Sequence, residues 1–340
     1  MAKVTIYDIA KKAHYSTATV SLALSGNPRI SADTREHILE VADQMGYTPN
    51  YIAQSLSKKS TNTLGLIVPN IDNPIFAQMV SGVETYANSK GYNLILGLSN
   101  SNQKKELFYL EMLQRERVDG LLVLPTFLDS LKNKLHALND TLAQVVLCGS
   151  SGTELSINLS YAKCDNKAGA FLAVDHLLSI GRKRIGCIFP VSSKEQYYSR
   201  ELGYKNALEH HGIAYDKKLI KLCHPSDDSI FCATKELLKE KKPDAIFCLY
   251  DYCAISVMRA ISSMNLRIPE DISVIGYDNI PISEYLPTSL STINTHSHEV
   301  GQKAAEILIQ KIKDPTTPLQ QIIIEPELVI RESTSLLDSN

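Results

Sequence analysis

Between residues 64 and 277 short uninterrupted apolar runs alternate with longer segments of helical spacing, and this alternation restricts the fold more than anything else in the chain. Leu64-Gly65-Leu66-Ile67-Val68 leads to an apolar periodicity from Pro74 to Gly91, then to the run Tyr92-Asn93-Leu94-Ile95-Leu96. A helix from Lys104 to Arg117, the run Gly120-Leu121-Leu122-Val123-Leu124, a helix from Ser130 to Leu138 and the run Val145-Val146-Leu147 complete a first set. After a polar stretch near 150–160 a second set follows: helices from Asn166 to Ile180, Arg200 to His211, Ser229 to Lys241 and Cys253 to Asn265. Between and after them stand runs at Arg184–Phe189, Leu219–Leu222, Ala245–Leu249 and Ile272–Tyr277. Strands that are apolar along their whole length must be covered on both faces, so each set predicts a parallel sheet flanked by helices. Open parallel sheets bind ligands beyond the carboxyl ends of their strands, and two facing lobes of this kind enclose a cleft.

The first sixty residues have a different grammar. Thr5 caps a segment in which Ile6, Ile9, Ala10 and Ala13 recur at helical spacing, with Asp8 three residues after the cap. Ser16 caps a second, where Val20, Ala23 and Leu24 face inward and Thr17, Ala18, Ser21 and Leu22 face outward. Two short helices about three residues apart have helix-turn-helix spacing. Ser31 to Arg35 opens a third helix, which stops at Gly46, and Pro49 to Leu56 reads as a short fourth one capped by Asn50. About eight residues cannot sustain an isolated helix in water, so that last segment is expected to order only against a partner.

This ordered set resembles the DNA-binding domain of the lactose/galactose repressor family, and the remaining core, to about residue 333, resembles that family's sugar-binding domain. The resemblance implies an α/β chain: a three-helix helix-turn-helix domain over 1–48, a hinge helix and linker over 49–60, and a two-lobed periplasmic-binding-protein-like (type I) core over 61–340. The amino-terminal lobe is expected at about 61–162 and 293–325, the carboxyl-terminal lobe at about 163–290 and 326–340. Crossings between lobes are then expected near Ala162 to Asp165, Ser289 to Asn294 and Ile324 to Leu328. Only Glu332 to Asn340 follows the core, too short for the leucine-repeat helix of the family's tetramers, so a homodimer on pseudo-palindromic double-stranded operator DNA is expected.

Charge sharpens what kind of DNA contact is expected. The whole chain carries -2, and residues 1–60 hold seven Lys+Arg against five Asp+Glu, a net of +2 that leaves -4 for the rest. Such a surface does not coat DNA by charge alone, so helix N-termini, hydroxyls and dimerisation must supply the contacts. By resemblance Thr17, Ala18 and Leu22 face the bases, and Leu22 stands where family members often carry arginine, which points to contact with thymine methyls. Tyr7, Ser16, Thr19, Ser21 and Tyr47 suit phosphates, Thr5 is a further expected DNA contact, and by resemblance Asn50, Ala53 and Leu56 form the hinge, with Leu56 the wedge in the minor groove.

In the core, carboxylates and a guanidinium can each pair with adjacent hydroxyls, and aromatic rings can cover an apolar sugar face. By resemblance Asn70, Phe76, Arg200, Tyr250 and Asp278 face the effector, with Asp72 and Asp251 from the same loops as further expected contacts and a carbohydrate the expected effector. Asp251 reads equally well as a helix cap, and Arg200 with Asp278 as a cross-cleft ion pair. Cys148 stands where some sugar-binding members have an acid.

The function classes left over are few. The sequence has no GxSxG, GxGxxG, GxxxxGK[ST] or HExxH, so neither an enzyme nor a cofactor is expected. His210-His211 and His296-x-His298 lack a third ligand at metal spacing along the sequence, and a solvated or capping role is the reading for both. The seven cysteines are odd in number, scattered and mostly in apolar runs, which implies buried reduced thiols. No stretch reaches eighteen apolar residues and Met1 to Thr5 begins no signal sequence, so a cytoplasmic protein without a membrane partner is expected. The resemblance then implies a repressor of carbohydrate-utilisation genes whose operator affinity responds to a sugar or sugar phosphate. The alternatives are a regulator activated by a co-repressor or partner protein, as in purine or catabolite sensing, and a sugar-binding protein that does not touch DNA.

Overall fold

A computed structural model describes residues 4–47, 60–115, 118–126, 128–139, 144–149, 158–191 and 197–335. Of the hinge and linker expected over 49–60, residues 49–59, with Asn50, Ala53 and Leu56, lie outside the described residues. The chain divides into two compact units at residues 61 and 62.

The amino-terminal unit holds α1 (Ile6–Ala13), α2 (Thr17–Leu24) and α3 (Ala32–Gln44). Its core is small: Ile9, Val20 and Ile38 are fully buried where the three helices meet, with Ala10, Ala13, Ala23, Val41 and Ala42 around them. The caps are those the sequence announces. The Asp8 carboxylate accepts from Thr5 N–H at 2.9 Å and from its hydroxyl at 2.6 Å. The Ser16 and Ser31 hydroxyls accept from Thr19 N–H at 3.0 Å and Thr34 N–H at 3.3 Å. Gly46, after the end of α3, takes φ +60, a left-handed conformation that glycine adopts without a Cβ penalty.

In the second unit, β1 (Thr63–Val68), α4 (Pro74–Ser89), β2 (Asn93–Leu98), α5 (Gln103–Arg115), β3 (Gly120–Val123), α6 (Leu128–Asn139), β4 (Gln144–Cys148) and β5 (Ser160–Cys164) build a first sheet. β11 (Gln321–Ile324) joins it, giving six parallel strands in the order β11-β5-β4-β3-β1-β2. A second parallel sheet, in the order β7-β6-β8-β9, consists of β6 (Ile185–Pro190), β7 (Ile220–Cys223), β8 (Ala245–Cys248) and β9 (Ser273–Ile275). Its helices are α7 (Asn166–Ser179), α8 (Tyr198–His210), α9 (Asp227–Lys241) and α10 (Asp251–Ser262). α11 (Ser297–Lys313) packs on the first sheet and on α4, and β10 (Thr292–Asn294) pairs antiparallel with β12 (Glu327–Val329). The central strands are buried along their length and each sheet has an apolar core on both faces, which is what uninterrupted apolar runs require.

Some elements depart from the periodicity. α8 begins at Tyr198, two residues before the expected start at Arg200, and the earlier start is hidden because no side chain caps that helix. β5 and β10 to β12 escape detection: Ser-Tyr-Ala-Lys-Cys has no apolar run, and β11 is a half-exposed edge strand. α7 and α8 pack very closely. A Cβ built on Gly203 would stand 2.2 Å from the Lys167 carbonyl oxygen, so only glycine permits this approach. No helix among the described residues is long and apolar enough to cross a membrane.

Candidate nucleic-acid surface and effector cleft

On the three-helix unit, the residues expected at DNA lie at the start of α1, along α2 and after α3. Tyr7 is 72% exposed, Ala18 and Ser21 are exposed, and Thr17 and Leu22 are half-buried. The hydroxyls are partly committed. Thr5 spends its proton on Asp8, whereas Ser16 and Thr19 share one hydrogen bond of 2.8 Å, leaving one hydroxyl proton of that pair to offer outward. Tyr47 packs against the small core. α2 begins with N–H groups and no acidic residue in its first turn, which favours an approaching phosphate.

The second unit contains a cleft of about 760 Å³ lined by the loops at the carboxyl ends of both sheets. Of the seven residues expected there, Asn70, Asp72, Phe76, Arg200, Tyr250 and Asp278 line it. On the first-sheet side, Asn70 Oδ1 accepts from Asn73 N–H at 3.1 Å, and Asn73 caps α4 through Ile75 N–H at 3.2 Å. That turn presents Phe76 from the first turn of α4 and leaves Asp72 exposed. Thr126 also lines this wall; its N–H is held by Glu106 Oε1 at 2.7 Å, and its buried hydroxyl has no partner among the described residues.

The opposite wall is built around Arg200. Its guanidinium stacks on the Tyr277 ring, 3.9 Å from the centroid, and donates to the Leu249 carbonyl, to Asn166 Oδ1 at 3.5 Å and to Asp278 Oδ1 at 3.4 Å. Its Nε is buried without a partner among the described residues. Both charged residues come from the second-sheet lobe, so the pair lies within one wall and does not span the cleft as the sequence reading allowed. Asp278 is 5% exposed with φ at +106, a sparsely populated region for a residue with a Cβ. Its N–H is tied to the Ile293 carbonyl of β10 at 2.8 Å. Burial pushes its carboxyl up to about 7, against the pull of Arg200, because one contact of 3.4 Å does not replace lost water.

Asp251 is a correction to the sequence reading. It is fully buried and does not line the cleft. Oδ2 accepts from Ile280 N–H at 2.9 Å and Ser283 Oγ at 2.8 Å, and Oδ1 from Thr292 Oγ1 at 2.6 Å. It therefore joins α10 to the loop after β9 and to β10, and burial pushes it up to about 6. Sequence reasoning missed Asn166, Thr126 and Tyr277, which hold or flank the cleft; neutral polar and aromatic residues at helix starts and strand ends carry no motif. Cys164 also lines the cleft, with its thiol pushed up to about 12 by burial, and Cys148 lies beneath the surface, likewise raised to about 12. Cys232 is exposed and Cys223 half-buried, so two of the seven thiols depart from the expectation of burial.

Comparison with known proteins agrees with this architecture. Residues 5–50 match the family described as "Bacterial regulatory proteins, lacI family", and residues 174–334 match "Periplasmic binding protein-like domain". The chain is similar to the "HTH-type transcriptional repressor PurR" of Photobacterium profundum, 33% identical over 336 residues that cover 98% of this chain and 99% of the relative. It is 34% identical over 330 residues to the "Ribose operon repressor" of Haemophilus influenzae, covering 97% and 98%. The chain belongs to the lacI family. As a lacI-family member it is a DNA-binding transcriptional repressor with an effector-binding core, and not an enzyme. Among solved structures, a lacI-family transcriptional regulator from Enterococcus faecium with bound ribose is 28% identical, with a TM-score of 0.70 over 81% of this chain and all of that one.

Proposed function

We propose that this repressor controls carbohydrate-utilisation genes and that a sugar or sugar phosphate held in the cleft changes its operator affinity. The observation that carries the reading is the Arg200–Asp278 pair beside Asn166, facing Asn70, Asp72 and Phe76. Donors and acceptors in pairs suit adjacent hydroxyls, and Phe76 and Tyr250 offer apolar faces to a pyranose or furanose ring. The relative named as a ribose operon repressor and the ribose-bound structure support the same class.

The mechanism is linkage: a ligand that fits one arrangement of the two lobes better than the other shifts the population, and operator affinity follows. A tenfold change in operator affinity requires a differential effector affinity of about 1.4 kcal/mol between states. We place Thr17, Ala18 and Leu22 at base edges, Tyr7, Ser16, Thr19, Ser21 and Tyr47 at phosphates, and Thr5 beside them at the DNA. Asn50, Ala53 and Leu56 complete the contact from the hinge, in a cytoplasmic homodimer on a pseudo-palindromic operator. Leu56→Ala then weakens specific operator binding by about 1 kcal/mol or more, the cost of a lost apolar insertion; unchanged affinity in a gel-shift titration removes the wedge.

The decisive experiment is a thermal-shift screen of pentoses, hexoses, their phosphates and purine bases, followed by operator titration with each hit. Stabilisation by a sugar that also moves operator affinity at least tenfold is expected. Stabilisation by purines alone would overturn the substrate class and favour the second reading, in which a co-repressor strengthens DNA binding.

A further inference from the structure

We propose that Asp175, His210 and His211 form a surface site for a divalent transition-metal ion of the zinc class, separate from the effector cleft. Along the sequence the two histidines have no third ligand; packing of α7 against α8 supplies one. The three residues offer one ligand atom each, all within 4.8 Å of one another. His211 Nε2 stands 2.8 Å from Asp175 Oδ1, and the two imidazoles lie 5.4 Å apart at 82°. Phe171, one turn before Asp175 on α7, packs edge-on against His210 at 5.8 Å and holds that ring toward α7.

The chemistry of the donor set selects the ion. Two imidazole nitrogens and one carboxylate oxygen suit zinc and its neighbours, whereas calcium and magnesium require oxygen ligands throughout. Zinc bonds of about 2.0–2.2 Å in a tetrahedron place donors roughly 3.3–3.5 Å apart. The 2.8 Å contact must therefore open by about half an ångström while the widest separation closes, a small rotation for these side chains. His211 and Asp175 are 29% and 35% exposed, so water can complete the shell.

Position adds a favourable field, because His210 is the last residue of α8 and His211 its C-cap, and the carbonyl end of a helix favours a cation. The backbone beneath is fixed by the Gly203 approach of α8 to α7. A bound ion would tie together the outer ends of α7 and α8, the two helices whose inner ends carry Asn166 and Arg200 at the cleft, about 15 Å away along α8. The other histidine pair does not do this: His296 faces Glu327 at 3.8 Å, and no metal-spaced cluster includes His296 or His298 among the described residues.

The test uses the full chain carrying Cys232→Ser, which removes the exposed thiol, stripped with chelator and titrated with Zn²⁺ alone and Co²⁺ alone. One equivalent of zinc, a zinc-dependent rise in melting temperature and a tetrahedral cobalt spectrum are expected. His210→Ala and His211→Ala should each weaken binding by more than the roughly 10–100-fold that loss of an outer-shell partner costs. Asp175→Asn keeps a hydrogen-bonding partner for His211 and so serves as the variant that folds if an alanine variant does not; it should also lose affinity. Absence of saturable zinc binding, or binding unchanged in all three variants, would overturn the site and leave a hydrogen-bonded pair only.

Discussion

The two walls of the cleft are built by opposite means. The first-sheet wall presents Asn70, Asp72 and Phe76 from a turn whose hydrogen bonds are local, each spanning two or three residues. The second-sheet wall presents Arg200, Asp278 and Asn166 through contacts spanning 34 and 78 residues, on the buried ring of Tyr277. One wall is cheap to reshape. The other is a charged network in which each member depends on the rest, and such networks fail sharply when one partner is removed. Affinity should therefore reside mainly in the second wall.

The largest test of that contrast is Arg200→Ala, which leaves Asp278 buried without its cation; breaking such a pair costs about 3–5 kcal/mol. Effector affinity measured by calorimetry should fall by at least roughly a hundredfold, equivalent to about 2.7 kcal/mol. A fall smaller than that of Phe76→Ala would break the contrast. Next is Asp251→Ala, behind the wall. Three donors lose their acceptor, each at about 1–3 kcal/mol, so urea unfolding should show about 3 kcal/mol or more of lost stability while effector affinity changes little.

A pH effect follows from the same burial. The Asp278 carboxyl titrates near 7 in the folded protein against 3.8 unfolded, so the folded state binds the extra proton between these values. Its contribution to stability is full below about 4 and is lost as pH rises through about 7, with a slope of at most about 1.4 kcal/mol per pH unit. Asp251, raised to about 6, acts in the same direction. Denaturant midpoints of Asp278→Asn should decline less than those of the parent between pH 5 and 7, and parallel curves would show that Asp278 does not hold the proton. The smallest effect belongs to the first wall: Phe76→Ala should weaken effector binding about tenfold, from roughly 1.4 kcal/mol of lost apolar contact.

What could be read in advance follows the range of the interactions. Caps at Thr5, Ser16 and Ser31, the inward Val20 and Ala23 and the glycine stop at Gly46 are set within a few residues, and they were legible. The central strand runs were legible too, because burial on both faces leaves no polar positions. Strand β5 was not, since its burial comes from β4 and β11, the latter 160 residues further on. Arg200, Asp278, Phe76 and Asn70 could be assigned to one cleft through their places after strands and through family resemblance. Asp251 could not be separated from them, because its acceptor role depends on Ser283 and Thr292 arriving from later in the chain.

By itself the sequence determined two sheets of parallel strands, a helix-turn-helix ahead of them and a weakly charged reading surface, because periodicity, caps and charge are local properties. Only the tertiary structure decided that Arg200 and Asp278 share one wall, that Asp251 is a buried fastening, and that Asp175 completes a cluster with His210 and His211. Each of those outcomes depends on which way a side chain turns after segments 29 to 78 residues apart have packed, and no local pattern encodes that direction.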